Sequence, residues 1–221
     1  MCGRFASFQP PQVIQTRFCT VNPLVNVSPS WNVAPSHEVM VVRHNAEANE
    51  RRLDMLRWGF VPHWTKSLTG VKRPINARAE TVATSAMFAR AFARRRCLIP
   101  ADAWYEWQAH GKEKTPYALG RRDHDMMAFG GVWETWTAPA GTLLRTFAII
   151  TCAATGPAAV IHDRMPVIVG REDWPLWLGE ENGDAAPLLR AAPADVLEAW
   201  PVDPAVGKVA NNYPELLAAV G

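Results

Sequence analysis

Several things are scarce in this 221-residue chain, and each scarcity excludes something. Its four cysteines, Cys2, Cys19, Cys97 and Cys152, contain no Cys-x-x-Cys pair, so no zinc site and no other cofactor is expected. Long hydrophobic runs are missing. The longest, Phe147 to Ile161, is broken by Thr151, Thr155 and the pair Gly156-Pro157, too short and interrupted to span a membrane. No apolar segment follows Met1, so no secretory leader is expected. Residue 2 is not glycine, which excludes N-myristoylation. A reducing cytoplasm with free thiols is the expected setting. Excess charge of one sign is absent too: 23 Lys and Arg stand against 21 Asp and Glu, a net charge of +2. That excludes bulk adhesion to nucleic acid but leaves room for a local basic groove. Repeats, low-complexity segments and clear linkers are lacking, so one monomeric domain over 1–221 is expected.

Ten tryptophans and 18 prolines are what the chain has in abundance. Tryptophan suits both a core and the stacking of bases, so its count does not decide between them. Spread-out prolines predict short elements and many loops. HEVMVVRH (37–44) and RRLDMLRWGF (51–60) read as two strands around the polar turn NAEANE. VPHWTKSLTGVKRP (61–74) reads as a long loop. TSAMFARAFARRR (84–96) has helical spacing, with Ser85 as N-cap and arginines in the last turn. CLIP, DAWYEW, TPYALG, MMAFGGVWETW and LLRTFAIITCAA supply five strands between 97 and 154. PAAVIHDRMPVIV (157–169) is a turn or short helix running into a strand. WPLWL, APLLRAA and ADVLEAW read as short amphipathic helices. Together these predict an α+β fold with a bent, barrel-like, mostly antiparallel sheet and peripheral helices.

The opening MCGRF is the most informative stretch. Aminopeptidase removal of Met1 would leave a thiol and a free α-amine on adjacent carbons of Cys2. Such a 1,2-aminothiol condenses with an aldehyde: the amine forms an imine and the thiol closes a five-membered thiazolidine. With ordinary pKa values of about 8 for the amine and about 8.5 for the thiol, a nearby acid/base group would speed both steps. Gly3 permits close approach, and Arg4 offers a fixed cation for phosphate or carboxylate.

MCGRF, PINARAET (74–81), RRRCLIPADAWYEW (94–107) and IHDRMPVI (161–168), in this order, resemble the SRAP family, the SOS-response-associated proteins that crosslink to abasic sites in single-stranded DNA. WNVAPS (31–36), RWGFVPHW (57–64) and AVGKVANN (205–212) extend the resemblance over essentially the whole chain. It implies a single SRAP-like domain around a barrel-like sheet. Cys2 then forms the thiazolidine with the ring-opened sugar aldehyde. The resemblance makes Asn76 the amide that holds the sugar hydroxyl or the amine. It makes Glu106 the acid/base and His162 a proton shuttle for ring opening. Arg4 and Arg78 fall where phosphates are gripped, Trp64 where an aromatic stacks on bases, and Arg164 or Asp163 where His162 is oriented or phosphate contacted.

On the residues alone, Asn76 could equally cap a turn after Pro74, and Glu106 could face water from an edge strand. Ala86 departs from relatives with a basic residue there, and Arg90, Lys72 or Arg73 could substitute. The run Arg94–Arg96 reads as a solvated helix end. The other histidines read as structural or solvated, and Cys19, Cys97 and Cys152 as inert core thiols. The expected partner is single-stranded DNA carrying abasic sites, with nucleoid association when bound. Two other activities fit the same residues: a thiol autopeptidase using Cys2, and a non-covalent reader of single strands.

Overall fold

In the computed structural model, residues 2–24 and 26–220 are described; Met1, and with it the expectation of its removal, lies outside them. The chain begins with β1 (Phe5–Ser7), α1 (Pro11–Phe18) and β2 (Ser30–Val33). The predicted hairpin follows as β3 (Glu38–Asn45) and β4 (Glu50–Trp58), in register from Glu38 opposite Arg57 to Asn45 opposite Glu50. After the 59–75 loop come β5 (Asn76–Arg78), α2 (Ala79–Val82) and α3 (Ala89–Arg94). The five predicted strands are β6 (Arg96–Ala101), β7 (Ala103–His110), β8 (Glu113–Arg121), β9 (Met127–Thr137) and β10 (Leu143–Ala153). The chain closes with α4 (Gly156–Ile161), β11 (Arg164–Pro166), α5 (Trp174–Leu178) and β12 (Leu197–Pro201).

These strands make the α+β, barrel-like architecture that the sequence predicts. Strands β10, β4, β3, β6 and β9 pair in that order, and β9 pairs back onto β10, closing a barrel. Every pairing in the ring is antiparallel except β4 with β10. A second sheet runs β12-β8-β7-β1-β2. The small strand β5 lies parallel to β10, with Asn76 opposite Ile149. Aromatic rings join the two layers: Phe5 meets Trp58 edge-on at 5.2 Å between centroids and Phe129 at 6.0 Å, while Trp104 meets Phe129 at 6.1 Å. The first strand is therefore wedged into the core, which places residue 2 inside the molecule rather than on a frayed end.

Barrel closure demands a glycine at 131, where β9 faces Cys97 of β6 on one side and Ile149 of β10 on the other. A Cβ there would sit 2.5 Å from Ile99 Cδ1 and 2.9 Å from the Ala148 carbonyl oxygen. The side-chain end can turn aside, but the backbone oxygen cannot. We expect Gly131→Ala to lower unfolding free energy by about 1–3 kcal/mol, read from urea midpoints at constant m-value.

Several expectations are corrected. The 84–96 segment is helical only over α3. Ser85 does not cap that helix; its Oγ accepts from the Met87 N–H at 3.3 Å and its carbonyl from Phe88, making a separate turn. APLLRAA holds one 3-10 turn at Ala186–Leu188, and ADVLEAW a 3-10 turn at Ala194–Val196 followed by β12, because the open edge of β8 takes up the segment as a strand. Cys19 is exposed: it ends α1 in a left-handed conformation, φ 55°, which turns the chain outward. Arg94–Arg96 is not a solvated end throughout. Arg95 pairs with the buried Glu134, and Arg96 donates to the carbonyls of Trp177 and Phe92. Cys97 and Cys152 are buried as expected.

Candidate active site

Each site residue is placed by one backbone element. The start of the chain runs along β7: Phe5 lies opposite Trp104, and the Tyr105 N–H donates to the Arg4 carbonyl at 2.9 Å, continuing the ladder past Phe5. Cys2 is fully buried. Burial pushes its thiol well above the ordinary range and the neighbouring Glu106 charge pushes it further, while a backbone N–H from Arg4 pulls the other way. Asn76, first residue of β5, donates from Nδ2 to the Cys2 carbonyl at 2.9 Å. Its Oδ1 is buried and has no hydrogen-bond partner among the described residues. A buried amide oxygen left this way is a vacant acceptor beside residue 2.

Glu106 stands on β7 opposite Tyr117 of β8 and is 4% exposed. It does not face water from an edge. Burial raises its carboxyl to about 7, and the nearby Asp163 charge adds to the shift. His162 follows α4, which Gln108 of β7 ties down by donating to the Val160 carbonyl at 2.9 Å. Its Nδ1 lies 2.8 Å from Asp163 Oδ1 and 2.9 Å from the Arg164 N–H. Burial lowers its pKa below 6.5. With Nδ1 accepting from a backbone N–H, the neutral ring carries its proton on Nε2; protonation redirects Nδ1 to the carboxylate. Glu106, Trp107, Lys114, His162 and Gly207 line an open cleft of ≈ 430 Å³.

Cys2, Asn76, Glu106 and His162 thus gather from the segment before β1, from β5, from β7 and from the end of α4. The predicted DNA-contacting residues are more dispersed. Arg78 is exposed on β5. Trp64 is 52% exposed in the 59–75 loop, edge-on to His63 at 4.9 Å. Beside it the Arg90 guanidinium lies 2.6 Å from His63 Nε2. Arg4 is committed inward, donating to Asn32 Oδ1 at 2.8 Å and the Val206 carbonyl at 2.7 Å. Arg164 is held in a two-pronged pair by Glu80 at 2.6 and 2.9 Å.

Sequence reasoning missed Asn32, which is buried and donates from Nδ2 to the carbonyls of Val206, Lys208 and Asn211. Trp31 N–H donates to Asn212 Oδ1 at 2.7 Å. The motifs WNVAPS and AVGKVANN are therefore two halves of one clamp, which sets Gly207 at the cleft rim. Lys114 was missed as well; an exposed lysine on a strand carries no sequence signal.

The raised Glu106 carboxyl has a stability consequence. The folded state keeps its proton up to about pH 7, whereas a free carboxyl releases it near 4.5. The stabilising share of this group is complete below 4.5 and is lost as pH rises through 7. Glu106→Gln removes that loss, so we expect the variant to gain about 1–3 kcal/mol on the parent between pH 4.5 and pH 8. Denaturant midpoints at the two pH values check it.

A family model described as SOS response associated peptidase (SRAP) matches residues 1–209, and the chain belongs to this family. It is 38% identical over 223 residues to the abasic site processing protein YoqW of Bacillus subtilis, covering 98% of this chain and 99% of that one. It is 32% identical over 230 residues to the abasic site processing protein YedK of Escherichia coli, covering all of both chains. A crystal structure from Bacteroides thetaiotaomicron shares the fold, with a TM-score of 0.90 at 21% identity over 99% of this chain and all of that one. Among the described residues no group of His, Cys, Asp or Glu could hold a metal, and no helix is long and apolar enough to cross a membrane.

Proposed function

We propose that this protein processes abasic sites in single-stranded DNA by covalent capture on Cys2, as the names of its relatives suggest for abasic-site processing in general. The observation that carries the reading is a buried thiol at position 2 whose carbonyl is fixed by Asn76 beside a carboxyl raised to about 7. That arrangement fits residue 2 as a reagent, with removal of Met1 supplying the α-amine.

Ring opening breaks the C1′–O4′ bond; Glu106 takes the C1′ hydroxyl proton, His162 gives its Nε2 proton to O4′, and the proton on Glu106 returns to His162, so both groups end as they began. The Cys2 amine adds to the C1′ aldehyde, and loss of one water gives the imine. Glu106 takes the thiol proton, sulfur adds to the imine carbon, and Glu106 passes that same proton to the ring nitrogen, which ends as a neutral N–H. A thiol held mostly neutral is a poor free nucleophile, but ring closure is intramolecular, and effective molarity offsets the low thiolate fraction. Reversal runs the same steps backwards, with Glu106 protonating the leaving sulfur.

Phosphate contact falls first to exposed Arg78, and base stacking to Trp64. Arg4 positions the chain start through Asn32, and Arg164 braces β11 against Glu80. The Asn76 Oδ1 acceptor receives a sugar hydroxyl or the Cys2 amine. Asn76→Ala should slow adduct formation about tenfold while leaving non-covalent strand binding unchanged, the size of one good hydrogen bond; single-turnover gels and fluorescence anisotropy separate the two.

The family description also contains the word peptidase. A thiol peptidase needs its cysteine pKa lowered, and burial of Cys2 does the opposite. The test is a denaturing gel of the protein with a single-stranded oligonucleotide carrying one abasic site. A heat-stable shifted band is expected, absent with an undamaged strand. Raised salt should slow its appearance without dissolving it once formed. Peptide cleavage without any band would favour the peptidase.

A further inference from the structure

A cavity of ≈ 670 Å³ shares no lining residue with the Glu106–His162 cleft. It opens where α1, the end of β8, the start of β9, the segment after β11 and the 188–197 stretch meet. Its size is that of a pocket for a small organic molecule. The walls are of two kinds. Met126, Ile168, Ala191 and Val196 are apolar and only partly buried, so they present hydrocarbon to the cavity. The rim carries four arginines. Two are neutralised: Arg17 pairs with Asp125, and Arg121 with Asp123. The other two are held more loosely or not at all. Arg171 is exposed, with no ion pair or side-chain hydrogen bond among the described residues. Arg190 has a 72% exposed side chain and reaches Asp173 only at 3.9 Å. The rim's Glu172 folds back over Gly170, where its Oε1 lies 2.5 Å from the position a Cβ would take.

We propose that this cavity binds a small organic anion, an apolar body bearing one carboxylate or phosphate. The apolar walls take the body, and Arg171 and Arg190 form charge-assisted hydrogen bonds to the anionic head. Nothing in the proposed DNA chemistry uses these residues, so the site stands or falls independently of it.

Decanoate and adenosine 5′-monophosphate are the two probes, an aliphatic carboxylate and an aromatic phosphate. Each is titrated into the full chain by isothermal calorimetry. Saturable one-to-one binding of at least one probe is expected, and the one that binds tells which head and body the site prefers. Arg171→Ala and Arg190→Ala should each weaken it about tenfold, the usual loss for one charged hydrogen bond. Ala191→Trp, which fills the cavity from its partly buried wall, should abolish it. All three variants should keep the parent's circular dichroism spectrum and its behaviour toward abasic DNA. No saturable binding of either probe overturns the proposal. So does binding that survives both the arginine variants and the filled cavity, since it would lie elsewhere. Should Ala191→Trp misfold, the two exposed arginines alone decide the outcome.

Discussion

Cys2→Ala abolishes the heat-stable adduct with abasic DNA, a loss of at least about a thousandfold in yield per hour, while affinity for the intact single strand changes by less than about twofold. The size follows from the chemistry. Alanine keeps the α-amine and can still form an imine, but an imine hydrolyses, and only sulfur closes the stable ring. Cys2→Ala should therefore give a band after borohydride reduction and none without it, whereas the parent gives its band unreduced. Substituting Ser for Cys2 should behave like Ala on a heated gel. The fold is not at risk from either change, because the residue is small and its backbone is held by Asn76 Nδ2 and the ladder to β7. A variant that lost strand affinity together with the adduct would point to damage rather than to missing sulfur.

Glu106→Gln has the second largest expected effect. It should slow adduct formation by about a hundred- to ten-thousandfold, the range for a positioned acid/base. Its second signature is the pH profile. In the parent, the carboxyl is raised to about 7, so the base form gains population through neutrality. The rate of ring closure should climb from pH 6 to pH 8 and flatten above. The glutamine variant should lose the inflection near 7, not merely the rate. This loss should accompany the gain in stability at pH 8 described above, because a buried carboxylate is useful to the reaction and costly to the fold. A variant that is slow but keeps the inflection would assign the titration to another group, with His162 the next to test.

How much of this was legible in the sequence differs by residue. The strand pattern of the two sheets was legible because β3, β4 and β6 to β10 carry apolar residues at strand spacing with turn residues between them. Closure of the ring was not, since the parallel contact of β4 with β10 is a long-range pairing that leaves no local mark. The 194–200 stretch misled for a related reason: its short apolar pattern suits a helix or a strand, and the waiting edge of β8 decided it. At the site, Cys2, Asn76, Glu106 and His162 each sit in a distinctive motif, and the fold brings all four together. The arginines were harder. Charge type is visible in sequence, but whether a guanidinium faces a ligand or a carbonyl is not, and Arg4 and Arg164 turn out to hold the protein to itself. Asn32 carried its signal in two motifs 174 residues apart whose contact only the fold reveals.

The measurement that tests the central claim most directly is the intact mass of the adduct. Protein incubated with an abasic oligonucleotide is heated, separated and weighed. The expected mass is that of the chain without Met1 plus the oligonucleotide minus one water, unchanged after borohydride treatment. Fragmentation should place the DNA on Cys2. An adduct that retains Met1, gains two hydrogens on reduction, or maps to a lysine would contradict the thiazolidine account.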